Sequence, residues 1–410
     1  MSKIVLVDGN NLLFRSYYAT AYSGNMMKNK DGFPTNGLYG FVNMMNKIIY
    51  EEKPQYIMVA FDVGKTFRHE KYADYKGGRK ETPDELKMQF PVAKEILNFM
   101  GIKYLECPGY EADDIIGTIS KWTENDDDFE ALIVSSDKDL LQLISDETTV
   151  KLLRPKDYIM MTKSVFIDTY GFEPINMIDL KALMGDSSDN IPGVKGIGEK
   201  GAIKLISEYK NIDNLYDNID NIAGAVHDKL VNGKEDAYYS KELVTIFRDV
   251  PLDIKFNDLL YNGADENNLM LLYNKLGFYS LIRKMQIGNM ASNDVDKFEI
   301  VKDVKKLVLK SDTAIYIDTT PGNYHNAEIL GVSLFNTESG YYIPFEVFNG
   351  DFSILNNKHI KYTYDLKKNC VLFNKYGIKF NNITFDTMIC AYLDNYDVKD
   401  DICFLASSMD

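Results

Sequence analysis

Nine carboxylates stand at places in this chain where acids can do chemistry: Asp8, Asp62, Glu111, Asp113, Asp114, Asp137, Asp139, Asp186 and Asp189. Three apolar runs, residues 4–7, 56–61 and 131–134, each lead to an aspartate: Asp8, Asp62, and Asp137 with Asp139. The other acids come in tight clusters. Glu111-Ala-Asp113-Asp114 follows a Pro-Gly turn, and Asp186-Ser-Ser-Asp189 precedes Asn190-Ile-Pro192. A lone acid at such a position is usually a surface charge or a helix cap, and Asp113 and Asp114 do open a helical run. The set as a whole resists that reading. Two carboxylates about 4 Å apart repel by roughly 4 kcal/mol at an effective dielectric of 20, so a converging set needs cations. An all-oxygen donor set suits Mg²⁺, with Mn²⁺ as a substitute, better than zinc. Two such ions can activate a water and stabilise a leaving oxygen at phosphorus. The chemistry implied is phosphodiester hydrolysis.

The elements that must position these acids are legible around them. Continuous apolar strands alternate with helical patterns at residues 39–50 and 91–100, which predicts an α/β domain with a largely parallel sheet. In such sheets ligands bind beyond the carboxyl ends of the strands, where three of the aspartate groups fall. Residues 165–290 read as mostly helical, and the small, polar stretch 288–295 reads as an interdomain linker. Strand-like runs return at 306–309, 314–317, 329–335 and 341–344, followed by helical segments near 366–376 and 387–393. The expected organisation is a core at 1–165, a helical subdomain at 166–290, a linker at 291–296 and a further α/β domain at 297–410. Because the last residues stop in what reads as mid-domain, a fragment of a longer protein is expected.

Two other segments suggest a nucleic-acid substrate. Residues 65–80 carry Lys65, Arg68, Lys71, Lys76, Arg79 and Lys80 against only Glu70 and Asp74, with Phe67, Tyr72 and Tyr75 interleaved. In a chain with a net charge of −15 this local excess is conspicuous. Basic residues alternating with aromatics suit backbone contact and base stacking on single strands. Gly196-Ile-Gly198-Glu-Lys-Gly201 formally matches GxGxxG, but Asn190-Ile-Pro192 stands where a dinucleotide site needs a strand. The stretch 192–202 (PGVKGIGEKGA) reads instead as a helix–hairpin–helix. There the turn of Gly193, Gly196 and Gly198 would offer backbone amides to a phosphate without reading bases, aided by Lys195, Lys200 and Lys204.

Composition removes several alternatives. With 46 Lys and Arg against 61 Asp and Glu, a generally basic coat is excluded. The cysteines at 107, 370, 390 and 403 form no CxxC, so zinc ribbons and a disulfide framework are not expected. The four histidines are scattered. With that cysteine usage and no apolar run of membrane-spanning length, a cytoplasmic protein with no membrane partner is expected.

The motifs LVDGNNLLFRSYYA (6–19), VAFDVGKTFRHEKYADYKGGR (59–79), GYEADDIIGT (109–118), SSDKDLLQL (135–143) and GDSSDNIPGVKGIGEKGA (185–202) resemble, in order, the 5′-nuclease domain of the bacterial DNA polymerase I family, itself a flap-endonuclease (PIN-like) domain. The resemblance implies a PIN-like parallel-sheet core with an arch segment at about 64–90, a helix–hairpin–helix subdomain, and Mg²⁺-dependent 5′→3′ exonuclease and flap-endonuclease activity. It implies a first metal site at Asp8, Asp62, Glu111 and Asp113, with Asp137 close by. The second would use Asp139, Asp186 and Asp189, with Asp114 near. Lys76 and Arg68 match cations that steer and polarise the scissile phosphate, and Tyr75 is the stacking candidate. Arg15 and Arg79 are further expected DNA contacts, and a K⁺ ion is implied at the glycine hairpin. The partners implied are DNA with 5′ flaps, nicks or RNA primers, bound by a monomer during replication and repair.

Residues 297–410 resemble, less closely, a 3′→5′ exonuclease domain of ribonuclease-H-like fold, through Ile315-Tyr-Ile-Asp318-Thr-Thr320, Lys361-Tyr-Thr-Tyr-Asp365 and Phe385-Asp386-Thr-Met388. Thr320 occupies the glutamate position of that family's Asp-x-Glu motif, and Lys361 replaces an asparagine. This partial domain is expected to be inactive, with the polymerase domain missing. Two rival readings stay open: a non-catalytic DNA-binding module whose acids hold structural ions, and a PIN-type RNA nuclease.

Overall fold

The computed structural model describes residues 2–21, 26–126, 128–282, 284–285, 298–309, 311–320, 322–336, 339–356, 358–393, 402 and 405. The chain divides into two compact units, Met1–Leu276 and Gly277–Asp410. The expected linker at 291–296 lies outside the described residues, and the division falls before it. Residues at the end of the first unit are tied into it: Leu269, Leu272, Tyr273 and Leu276 are buried, and the Asp265 amide donates to the Phe99 carbonyl at 2.7 Å.

The first unit is built on a sheet of β1 (Ser2–Asp8), β2 (Tyr56–Ala60), β3 (Lys103–Leu105), β4 (Phe129–Ser135), β5 (Thr148–Leu153) and β6 (Tyr158–Met161). The strand order is β3-β2-β1-β4-β5-β6, parallel except for β6, which runs antiparallel to β5. Ile4, Val5, Leu6 and Val7 are all fully buried, as a central strand covered on both faces requires. Chain order turns back on itself between β1 and β4, paired Val7 to Val134, so a crevice opens beyond their carboxyl ends. The same core that holds Ile4 and Leu6 continues through Phe166, Leu180, Leu183, Ile206 and Leu230. The expected core and helical subdomain therefore form one body with a shared interior.

The second unit carries β7 (Phe298–Ile300), β8 (Thr313–Thr319), β9 (Ile329–Phe335), β10 (Gly340–Pro344), β11 (Lys361–Thr363) and β12 (Ile383–Asp386), in the order β12-β11-β8-β9-β10-β7. β8, β9 and β10 pair antiparallel, while β11 and β12 are parallel to β8 and to each other. The run 306–309, expected as a strand, is not one. Asp303 accepts from the Lys305 amide at 3.1 Å and caps a 3₁₀ turn over Val304–Lys306, and the edge strand lies earlier, at β7. Among the described residues, no helix is long and apolar enough to cross a membrane.

Candidate active site

The site grows from the end of β1. Gly9 follows Asp8 because a Cβ there would lie 2.6 Å from the Phe61 ring, so only glycine lets the helix Gly9–Ala21 leave the strand. That geometry aims Asp8, only 6% exposed, at the crevice. Its oxygens accept from the Asn11 amide and the Ser135 hydroxyl, both at 2.9 Å. Ser135 in turn accepts from the Asp137 amide at 3.0 Å, and Asp137 accepts from the Asp139 amide at 2.9 Å. Asp62, just past β2, takes the Ala112 amide at 2.7 Å and the Asn10 side chain at 3.0 Å. Thus Asp62 is docked on the first turn of the helix Ala112–Thr123, whose N-cap is Glu111 and whose first turn carries Asp113.

The electrostatics record the crowding. Burial, with Asp62 and Asp137 adding repulsion, pushes Asp8 up to about 7. Asp113 is raised well above the carboxylate range by burial and then by Asp137, Asp8, Asp62 and Glu111. Asp137 and Asp62 are also raised, chiefly by burial, against the pull of Lys181 and Lys76 respectively. These acids cannot all ionise without a compensating positive charge.

The basic segment supplies part of that charge, in a different way than its sequence suggests. Lys76 Nζ donates to Glu111 at 2.7 Å and lies 3.9 Å from Asp189. Burial disfavours its charge, but Glu111, Asp189 and Asp62 outweigh that and raise its pKa. Its backbone sits in the left-handed region (φ 57°), held by its amide donating to the Asp189 carbonyl at 2.9 Å. Arg79 pairs with Asp189 as well.

Three of the expected site residues are largely buried. Arg68 is 2% exposed, and its guanidinium donates to both Asp114 oxygens at 2.8 Å and to the Leu243 and Thr245 carbonyls. Asp114 is the partner of that pair. Fully buried, it also accepts from the Glu111 and Phe247 amides, so four donors saturate it. Tyr75 is 4% exposed, packed with Ile178, Ile191, Leu243 and Val244, and donates its hydroxyl toward Glu111 at 3.1 Å.

A second group forms where the helix Met177–Met184 ends. Lys181 on that helix joins Asp139 and Asp186, the latter at 2.7 Å. Burial would raise Asp186, but Lys181 and Ser188 overcome it and hold it down to about 2. Asp189, expected with this pair, faces Arg79, Tyr75 and Lys76 instead. Lys181, Asn10, Asn11 and Ser135 were not singled out from the sequence. The Asn pair could have been, since it directly follows a strand-end aspartate. Among the described residues, no three acidic, histidine or cysteine side chains are already arranged to enclose a metal ion. The donor set nonetheless fits hard divalent cations: it is all oxygen, mutually repelling, and attended by two lysines.

The glycine hairpin sits between the helices Met177–Met184 and Glu199–Tyr209. Gly193 packs so close that a Cβ would meet the Gly185 amide nitrogen at 2.2 Å, and Val194 and Ile197 anchor the turn in the core. Lys195, Gly196, Gly198, Lys200 and Lys204 are exposed beyond it. The Gly196 carbonyl accepts from Lys229 Nζ at 3.0 Å. Arg15 lies elsewhere: it lines a separate pocket and donates to the Arg154 carbonyl. Asp8, Asp62, Glu111, Asp113, Asp137, Asp139 and Asp189 line one cleft of about 740 Å³ together with Lys76, Arg79 and Lys80; Arg68 and Tyr75 also border it, and Asp186 does not.

Residues 3–171 match the family model of the 5′-3′ exonuclease N-terminal, resolvase-like domain, and residues 172–267 that of its C-terminal SAM fold. The first unit thus matches both domains of the 5′-3′ exonuclease models. Residues 315–410 match the ribonuclease H-like domain of DNA polymerase I, and nearly the whole chain is similar to the corresponding part of DNA polymerase I proteins. It is 38% identical to DNA polymerase I of Bacillus subtilis (strain 168), over 96% of this chain and 46% of that protein. It is also 38% identical to DNA polymerase I of Streptococcus pneumoniae, over 99% of this chain and 47% of that protein. The chain spans about half the length of the curated relatives it matches. Among solved structures it resembles T5 5′-exonuclease, reported with bound zinc, at 26% identity and a TM-score of 0.48, over 60% of this chain and 90% of that one.

Proposed function

We propose that the first unit hydrolyses DNA phosphodiesters as a structure-specific 5′→3′ exonuclease and flap endonuclease, removing flaps and RNA primers in replication and repair. The observation that carries this reading is the gathering of Asp8, Asp62, Asp113 and Asp137 in one cleft beyond β1, β2 and β4, where burial and then Asp62 and Asp137 raise Asp8, and burial and then Asp137, Asp8, Asp62 and Glu111 raise Asp113. Asp8, Asp62, Glu111, Asp113 and Asp137 would hold one Mg²⁺, and Asp139, Asp186 and Asp189 a second, with Mn²⁺ able to substitute. Ions bound there would supply an activated water and offset charge at the phosphate.

The remaining work falls to this chain's own groups. Lys76, on the cleft wall, is placed to meet negative charge that develops on the scissile phosphate. Arg79 and Lys80 line the same cleft and would hold the strand there. The Gly193 amide is taken by the Ser240 hydroxyl at 3.0 Å, so the exposed Gly196 and Gly198, with Lys195, Lys200 and Lys204, would take a backbone phosphate and set register without reading sequence. A K⁺ at the hairpin would share its carbonyls with Lys229. The test is cleavage of a 5′-flap DNA in Mg²⁺ against a single-stranded RNA control. Flap cutting that EDTA abolishes supports the reading. Binding without cutting would favour a non-catalytic module, and RNA cutting alone a PIN-type RNA nuclease.

A further inference from the structure

We propose that Lys181 is a positioning residue that serves as resident counter-cation of the Asp139–Asp186 pair, holding both carboxylates together until a divalent ion takes its place. This rests on the two-site reading above. Asp139 begins the 3₁₀ turn after β4, whereas Asp186 lies past the helix Met177–Met184, so the two acids come from separate elements. Lys181 Nζ bonds both, and its head is largely shielded from solvent, with a side chain 12% exposed. Its helix cannot turn it elsewhere, because Met177, Ile178, Leu180, Ala182 and Leu183 are all buried around it. Asp137 also feels its charge. The other lysine among the acids, Lys76, points at Glu111 and does not serve this pair.

An ammonium occupies one cation's place and supplies one charge where a divalent ion would supply two. Without it the two carboxylates lose the cation they share, and Asp186 is left with the Ser188 amide and hydroxyl. Lys181 therefore does opposite things in the two states: it stabilises the metal-free fold and competes with a cation for the same oxygens. A neutral residue of similar length should expose both effects.

Mn²⁺ titration of the full chain without DNA, read by the free-Mn²⁺ EPR signal, is paired with thermal unfolding in EDTA. Lys181→Met should bind the more weakly held Mn²⁺ about tenfold more tightly, as expected when a positive charge a few ångströms away is removed. It should also unfold several degrees earlier in EDTA. Lys181→Arg, which keeps the charge, should track the wild type in both. If Lys181→Met fails to fold, Lys181→Gln carries the same Mn²⁺ comparison. Unchanged Mn²⁺ affinity in the neutral variants, or equal loss of stability in Lys181→Arg and Lys181→Met, overturns the proposal. A wild type that binds no Mn²⁺ sinks the two-site reading itself, and the unfolding arm then still decides whether Lys181 holds the pair.

Discussion

The Arg68 guanidinium grips both carboxylate oxygens of Asp114 at 2.8 Å, with neither side chain in contact with solvent to any useful extent. This fork–fork pair ties the basic segment to the helix that carries Glu111 and Asp113, and through the Leu243 and Thr245 carbonyls to the segment leaving the helix Lys234–Val244. Breaking a buried pair by removing one partner leaves the other charge uncompensated, which costs about 3–5 kcal/mol. Arg68→Ala should therefore lower stability by that order, measured by denaturant unfolding. Wild-type stability with a lost catalytic rate would restore the catalytic role that its sequence position suggests.

Asp113 is expected to be a liability without metal. Burial and four acidic neighbours raise it, so ionising it costs folding free energy. Asp113→Asn should raise the free energy of unfolding in EDTA by about 1 kcal/mol or more, while losing the stabilisation that Mg²⁺ gives the wild type. A variant less stable than wild type in EDTA would contradict this.

The same crowding gives a pH dependence. Asp8 has a folded pKa of about 7 against an unfolded value near 3.8, so the folded state binds more protons between those values. Its cost is absent below about pH 4, grows as pH rises, and is complete above about pH 7, at a slope of up to about 1.4 kcal/mol per pH unit. Asp186, held down to about 2, acts oppositely and only below about pH 4, where its contribution is lost. Metal-free protein should thus unfold at lower temperature at pH 8 than at pH 5, and Mg²⁺ should reverse the order. Calorimetry at the two pH values with and without EDTA checks it.

The acids were legible because a strand-end aspartate is a one-dimensional signal: each closes an apolar run, and a parallel sheet brings such ends together. The burial of Arg68 and Tyr75 was not legible, for the complementary reason. Their segment is basic and aromatic as composition, but which of its side chains turn inward depends on Leu243, Val244 and Thr245, over 160 positions away. Asp114 shares a buried helical stripe with Thr118, whose hydroxyl donates to the Asp114 carbonyl at 2.8 Å, and that stripe could have been noticed. Lys181 could not: its partners meet it only in three dimensions.

The second unit should show no 3′→5′ exonuclease activity. Asp386 is spent on backbone, accepting from the Asp365, Leu366 and Met388 amides at 3.1, 2.8 and 2.9 Å. Thr320, in place of a glutamate, takes the Glu328 amide at 3.0 Å. Asp386→Ala should cost about 1–3 kcal/mol through those stranded amides. A 3′-mismatched primer, incubated with Mn²⁺ and an Asp137→Ala chain, should stay full length. Shortening that Asp318→Ala abolishes would refute this.

Lys76→Ala should slow the chemical step by about a hundredfold while changing DNA affinity little, since its charge acts on the transition state. Lys200→Ala should weaken binding and flatten its salt dependence by about one unit of slope. Rates at saturating enzyme separate the two.

The central claim is that the acids beyond β1, β2 and β4 form a hydrolytic centre. The most direct measurement is the single-turnover rate of 5′-flap cleavage in Mg²⁺ by wild type and Asp62→Asn, at enzyme concentrations that saturate the DNA. The account predicts cleavage by the wild type and none by the variant, with DNA binding and folding retained in both. Cleavage at the wild-type rate by Asp62→Asn would contradict it.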